Sequence, residues 1–248
     1  MNELYKYPRT QHLKDFTEGL EGKFVVVEEK MDGSQVGISF DLNEKPLFQS
    51  RGRFLEGNYE RQFDLLKQWV NVHHNDLFKI LGQRYIMFGE WMLMKHTIFY
   101  DMLPNYFLEF DVFDKETNSY ISTLERHSMF MGTVVTSVAV LWNGIVDDTN
   151  DIETLIGNSL FKSAEWKSNF VDELKQARFV DIDRAFRNTD NTNLMEGLYI
   201  KIEHNNNVQN RLKFIRPDFI ATIVNSTTHW VDNNTVLNRL RPGTNLWR

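Results

Sequence analysis

Val25-Val26-Val27-Glu28-Glu29-Lys30-Met31-Asp32-Gly33-Ser34 is the stretch on which the reading of this chain turns. A β-branched run favours an extended strand and delivers one lysine to its end, with an aspartate and a glycine close behind. Gly33 permits positive φ and close backbone approach. The chain is therefore expected to fold straight back into Val36-Gly37-Ile38-Ser39-Phe40, a hairpin with Lys30 at its mouth. Lys-x-Asp-Gly is short and recurs by chance, and taken alone it describes an ordinary solvated turn lysine. Its meaning depends on what stands at ordered positions farther along.

The 248 residues suffice for one large domain, 1–248, with 217–248 expected as a short helical or irregular extension. A hydrophobic content of 42%, with 19 Phe and 6 Trp, is material for a true core and excludes a disordered chain. There is no run of 18 apolar residues, and Met1-Asn2-Glu3-Leu4-Tyr5-Lys6 lacks the apolar segment of a signal peptide. The expectation is a soluble, intracellular, cytoplasmic protein without a membrane partner. The absence of cysteine excludes disulfides, thiolate nucleophiles and Cys-ligated zinc. A net charge of −6 speaks against a generally basic nucleic-acid surface, yet from Gly197 onward seven Lys/Arg stand against three Asp/Glu. That basic final fifth suits polyphosphate or a nucleic-acid backbone as well as it suits ordinary charge fluctuation.

Strands are expected at 24–30, 35–41 and 46–51. From Asn58 the period changes: Tyr59, Phe63, Leu66, Trp69, His73, Leu77 and Ile80 step by three or four, which reads as one amphipathic helix reaching Leu81. His73 on that face is read as a core-edge histidine; His74 cannot share its face. Two apolar strands follow at 85–92 and 107–114, then a strand-rich segment at 134–142. A second amphipathic helix spans 163–178, its Trp166, Phe170, Leu174 and Ala177 read as core. Residues 187–193 are polar loop, 197–203 and 208–215 are strands, Pro217 opens a short helix, and the tail from Asn233 is irregular. Antiparallel strands with interspersed helices make an α+β fold.

The company Lys30 keeps is what gives it chemical meaning. Ser50-Arg51-Gly52-Arg53 stands at a strand end, Phe88-Gly89-Glu90 and Phe107-Leu108-Glu109-Phe110-Asp111 lie on strands, and Glu196-Gly197-Leu198-Tyr199-Ile200-Lys201 and Arg211-Leu212-Lys213 close the set. Each alone reads as an ordinary strand or surface residue. In this order, over residues about 24–216, they resemble the nucleotidyl motifs of covalent nucleotidyltransferases: ATP-dependent RNA and DNA ligases and mRNA capping enzymes. The Phe-Gly-Glu and Phe-Asp wording is most similar to RNA ligases of the RNA ligase 2-like branch. The resemblance implies the ligase adenylation fold (ATP-grasp-like), of antiparallel sheets flanked by helices. Only 35 residues follow Lys213, too few for the C-terminal OB-fold of DNA ligases and capping enzymes.

The resemblance also implies roles. Lys30 is the nucleophile that takes AMP from ATP; Glu196, Lys213 and Arg211 complete the catalytic set, with Arg211 standing where the family usually has lysine. Glu29, Asp32, Gly33, Arg51, Glu90, Phe110 and Lys201 fall at nucleotide-binding positions, and Glu196 and Glu90 suit magnesium or manganese. Only about one free lysine in a thousand is neutral near pH 7.4, so attack on phosphorus asks for burial and nearby positive charge. Phe110 offers a ring to stack on the base and Arg51 a cation for ribose or phosphate, while Glu29 is placed to accept from adenine's 6-amino group. The implied activity joins 5′-phosphate and 3′-hydroxyl RNA ends through lysyl-AMP and an adenylated strand. The alternatives are a minimal DNA ligase, a capping-like GMP transferase, a nucleotide- or nucleic-acid-binding module without turnover, and a plain scaffold. An end-healing kinase or phosphatase partner, oligomeric state and the role of residues 7–13, where Arg9 and His12 stand, are left open.

Overall fold

The computed structural model describes residues 3–56, 61–226 and 236–248. Strands β1 (Gln11–His12), β2 (Phe24–Lys30), β3 (Ser34–Phe40) and β4 (Pro46–Gln49) precede helices α1 (Asp64–Val72) and α2 (His74–Leu81). Next come β5 (Tyr85–Trp91), β6 (Phe107–Asp114), β7 (Ser119–Tyr120), helix α3 (Thr123–Phe130), β8 (Thr136–Ser137) and β9 (Val140–Ile145). Helices α4 (Thr149–Glu153), α5 (Trp166–Gln176) and α6 (Ile182–Arg187) lead to β10 (Gly197–His204), β11 (Asn207–Ile215) and α7 (Pro217–Asn225). One sheet runs β1-β11-β10-β2-β9; the other runs β4-β3-β5-β6-β7, with β8 also on β6. Pairing is antiparallel except at β1–β11 and β6–β8. The α+β class and the antiparallel sheets agree with the sequence reading, and no OB-type barrel is present among the described residues.

The expected β2–β3 hairpin does not form. β2 pairs with β10 and β9, whereas β3 pairs with β4 and β5, so residues 31–33 carry the chain from one sheet to the other. Nor does Gly33 take a positive φ. It is small because the crossing is tight: a Cβ there would lie 2.6 Å from Met92 Sδ and 2.8 Å from the Trp91 carbonyl oxygen. Lys30 thus ends a strand at the seam between two sheets.

The long helix expected to reach Leu81 is also broken. Residues 58–60 lie outside the described residues, Arg61–Phe63 form a 3-10 turn, and His73 separates α1 from α2. Asn71, Val72, His73, His74 and Asn75 are weak helix formers, and His73 is drawn inward against the Trp69 ring and the Leu246 carbonyl oxygen (3.4 Å). Its core-edge reading agrees with its burial. Both helices cover the outer face of the second sheet, where Leu66, Trp69 and Leu77 meet Val36, Ile38 and Met87. On the first sheet, Val25, Val27, Leu198, Ile200 and Leu212 form a second core. Trp166, Phe170 and Leu174 of α5 are core as expected.

Charge, not hydrocarbon, fills part of the space between the sheets. Glu28 (β2) and Lys201 (β10) face Glu109 and Asp111 (β6), and α3 supplies Arg126. Arg126 donates to Glu28 Oε1 at 2.5 Å and to Glu109 Oε2 at 2.6 Å. Lys201 Nζ lies 2.9 Å from Glu28 and donates to the Phe110 carbonyl, and Arg211 Nε donates to Asp111 at 2.7 Å. Three carboxylates meet three cations, all buried. Burial works to raise the Asp111 pKa, but Arg211, Lys201 and Arg126 outweigh it and hold the carboxyl down to about 2. α3 escaped the sequence reading although Ser122-Thr123-Leu124-Glu125 carries a capping box, with Ser122 Oγ accepting from the Glu125 N–H. Removing one partner from buried ion pairs strands the others, so Arg126→Ala should lose about 3–5 kcal/mol of stability. Urea unfolding monitored by tryptophan fluorescence measures it; a midpoint equal to wild type would contradict the pairing.

Candidate active site

The register between β2 and β10 builds the centre of the site. Lys30 pairs with Gly197, and Glu196 immediately precedes that glycine, so its carboxylate falls beside the lysine with Nζ to Oε1 at 2.7 Å. Gly197 is required by the next strand: a Cβ there would lie 2.0 Å from the Phe214 carbonyl oxygen of β11. That approach seats β11, with Lys213 paired to Tyr199 on one side and to His12 of β1 on the other. From the second sheet comes Glu90 of β5, paired with Gln35 just past the crossing. Lys30, Glu90, Glu196, Lys213, Arg51, Asp32 and Phe110 all line one cavity of about 1400 Å³.

The remaining expected residues are placed as follows. Asp32 holds the segment after β5, its Oδ2 accepting the N–H groups of Thr97 (2.7 Å) and Ile98 (2.8 Å). Arg51 donates from Nε to Gln35 Oε1 at 3.3 Å. Phe110 is the extra residue of a bulge, since Asp111 pairs with Phe88 and Glu109 with Gly89. Its ring lies 5.5 Å from that of Tyr7 and 5.8 Å from that of Tyr199. Glu29 reaches the cavity wall, but its carboxylate accepts from Ser159 Oγ (2.5 Å) and the Leu160 N–H (3.1 Å). Burial pushes it up to about 7 against those hydrogen bonds. Lys201 and Arg211 do not line the cavity. Each lies two residues along its strand from a lining residue, Tyr199 or Lys213, and is spent on the buried charges between the sheets.

Sequence reasoning gave no role to Tyr7, which donates to Asp111, hydrogen-bonds the Tyr199 hydroxyl at 2.5 Å and sets its ring edge against Phe88 and Phe110. Nor did it find Lys95 and His96, which line the cavity, with His96 Nε2 3.3 Å from Ser34 Oγ. A lone tyrosine near the start of the chain and a Lys-His pair outside any periodic pattern carry no local signal. Only their contacts mark them.

Electrostatics in the cavity run opposite to the simple expectation of a neutral amine. Burial acts to lower the Lys30 pKa, but Glu196, Glu90 and Asp32 outweigh it and raise the pKa above the ordinary lysine value. The side chain is 24% exposed, toward the cavity, and its ammonium is paired. Its carboxylates bear the complementary strain. Burial lifts Glu196 to about 7 against the pull of Lys30, and lifts Glu90 to about 8, with Glu196 and Asp32 adding repulsion. Lys213 is lowered by burial and by the charges of Lys30, Arg51 and Arg9.

The donors suit a divalent cation completed by phosphate and water. Glu196 Oε2 is buried without a hydrogen-bond partner, and Glu90 and Glu196 are both destabilised as anions. No group of three or more His, Cys, Asp or Glu able to cage an ion by itself occurs among the described residues. Magnesium, which keeps several waters and takes one or two carboxylates, fits that donor set. The same strain has a consequence for stability. With its folded pKa near 8, above the usual carboxylate value, Glu90 binds more protons folded than unfolded between those limits, so stability falls as pH rises through that window. Glu90→Gln, measured by calorimetry without nucleotide or metal, should raise the Tm at pH 9 and leave it near wild type at pH 5; a lower Tm at pH 9 would contradict the burial of an unfavourable charge.

Comparison with known proteins agrees with this architecture. No curated protein sequence matches. Among solved structures, a mutant apo form of Naegleria gruberi RNA ligase has a TM-score of 0.58 at 17% identity, covering 88% of this chain and 57% of that one. A mutant of the same ligase with ATP and Mn gives 0.58 at 17%, covering 87% and 56%. Another with AMP and Mn gives 0.60 at 15%, covering 88% and 57%. The chain therefore spans less than two thirds of that ligase, and the likeness is one of fold. Among the described residues no helix is long and apolar enough to cross a membrane. A model of the RNA ligase family matches residues 23–215, from the start of the Lys30 strand region to the end of the Lys213 strand. On that match, spanning most of its length, the chain belongs to the RNA ligase family.

Proposed function

We propose that this chain is an ATP-dependent RNA ligase that carries AMP on Lys30 and joins 5′-phosphate to 3′-hydroxyl ends. The observation that carries the reading is the convergence on one cavity of Lys30, Glu90 and Lys213 from three strands of two sheets, with Glu196 just ahead of β10. A solvated turn lysine has no need of such company. The ATP and Mn of the Naegleria ligase structure make ATP and a divalent metal the first donors to test here.

In this reading Lys30 attacks the α-phosphorus of ATP and pyrophosphate leaves. The AMP then passes to the 5′-phosphate of a strand, and a 3′-hydroxyl attacks that activated phosphate and frees AMP. Glu196 and Glu90 would hold magnesium or manganese, which would supply positive charge at the phosphate oxygens. The resting Lys30 ammonium is held by the same two carboxylates and must give up a proton before the amine can attack. Lys213 and Arg51 offset charge growing on the phosphoryl oxygens. Phe110, with Val138 and Ile215 in the same wall, gives the base an apolar slot. Lys201 and Arg211 support the site through Asp111 and the Phe110 carbonyl without touching nucleotide.

Intact mass after incubation with ATP and magnesium or manganese should show one added AMP on wild type and none on Lys30→Ala. An adduct from GTP alone would point to capping chemistry, and no adduct with either would leave a binding module. Glu196→Ala should lose at least a hundredfold in the rate of adduct formation while keeping the wild-type circular dichroism spectrum; full activity would remove Glu196 from the centre. Nicked duplexes with RNA or DNA at each side of the break then decide the substrate, and sealing of all-DNA nicks alone would refute RNA ligation.

A further inference from the structure

The N-terminal segment enters the cavity, and the steps set out above use none of its residues. Arg9 and Thr10 line its wall, and the backbone around them is fixed at both ends. Tyr7 is buried and hydrogen-bonded to Asp111 and Tyr199, and two residues beyond Arg9 the chain pairs with β11, Gln11 opposite Leu212 and His12 opposite Lys213. Arg9 is therefore an exposed cation on an anchored backbone, lining the same cavity as Lys213. Arg9, Arg51, Lys30 and Lys213 all line this one cavity, and the Lys213 amine is lowered by burial and by the charges of the other three, with Glu196 pulling the opposite way. Neither Arg9 nor Lys213 forms an ion pair among the described residues. Lys30 is already paired with Glu196, which also attracts Lys213, whereas Arg9 and Lys213 are the cations open to an incoming anion.

Resting on the ligase reading above, we propose that Arg9, with Lys213 and Arg51, forms the subsite for the 5′-terminal phosphate of the strand that accepts AMP. The chemistry requires a second phosphate next to the one on Lys30, and two phosphates approach only with cations beside them. Lys213, whose amine feels the charge of Lys30, serves the first phosphate; Arg9, two residues before the strand that pairs with β11 and on the wall of the same cavity, is placed for the second. In the step itself an oxygen of the 5′-phosphate attacks phosphorus, a P–O–P bond forms, the P–N bond breaks, and the Lys30 amine departs and takes a proton from water.

The test separates the two phosphates. Wild type, Arg9→Ala and Arg9→Lys are loaded with radiolabelled AMP, freed of ATP, and mixed with a 5′-phosphorylated RNA oligonucleotide, while loading itself is timed against ATP concentration. Arg9→Ala should load within about twofold of wild type but pass AMP to RNA at least tenfold more slowly at subsaturating RNA. The loss should lie in the RNA concentration needed for half-maximal rate, and Arg9→Lys should recover part of it. Equal slowing of loading and transfer would assign Arg9 to ATP's own phosphates and overturn the proposal; unchanged transfer would leave it a surface cation and overturn it as well. Failure of wild type to load, or to pass AMP to RNA at all, would instead sink the ligase reading and the subsite with it.

Discussion

Three carboxylates and three cations buried between two sheets are the constraint on which the site depends. Glu28, Glu109 and Asp111 have no water to turn to, and Arg126, Lys201 and Arg211 have none either. Such a cluster is weak as a source of net stability, because desolvation consumes most of the attraction. Its geometry is demanding, however, and any slip in register would strand a charge. It holds β2 and β10 against β6, so that the ends of those strands, where Lys30 and Glu196 sit, open into a cavity of fixed shape.

At the cavity the balance is deliberately poor. Glu90 and Glu196 are lifted toward neutral pH by burial and mutual repulsion, and Lys30 is held as an ammonium by the same pair. The network deeper in the fold is matched charge for charge, whereas the cavity holds carboxylates lifted toward neutral pH together with Lys213 and Arg9, cations with no salt bridge of their own among the described residues. Such an imbalance fits the proposed reading, in which metal and phosphate arrive with charge of their own.

Much of this was legible in the chain before any coordinates. The β-branched run of β2, the alternation of β10 and β11 and the ordered residues Lys30, Glu90, Phe110, Glu196 and Lys213 were all readable, because strand periodicity and residue chemistry are local properties. The hairpin after Lys30 was misread because Gly33 signals both a turn and a close approach, and sequence does not separate the two. The break at His73 depended on Leu246, which lies 173 residues away. Arg211 and Lys201 looked like ligand-binding cations; two residues along a strand moved them from cavity to sheet interface.

Residue types and their order, then, already point to the family this chain belongs to: an amine, carboxylates and cations in the succession its motifs resemble. Which of those groups meet is settled by sheet register, by the tight crossing at Gly33 and by the bulge at Phe110. The reason is physical. A side chain's acidity and reach belong to its covalent structure, but its charge state and neighbours arise from burial and from contacts between strands far apart in the chain, and those exist only once the sheets have closed on one another.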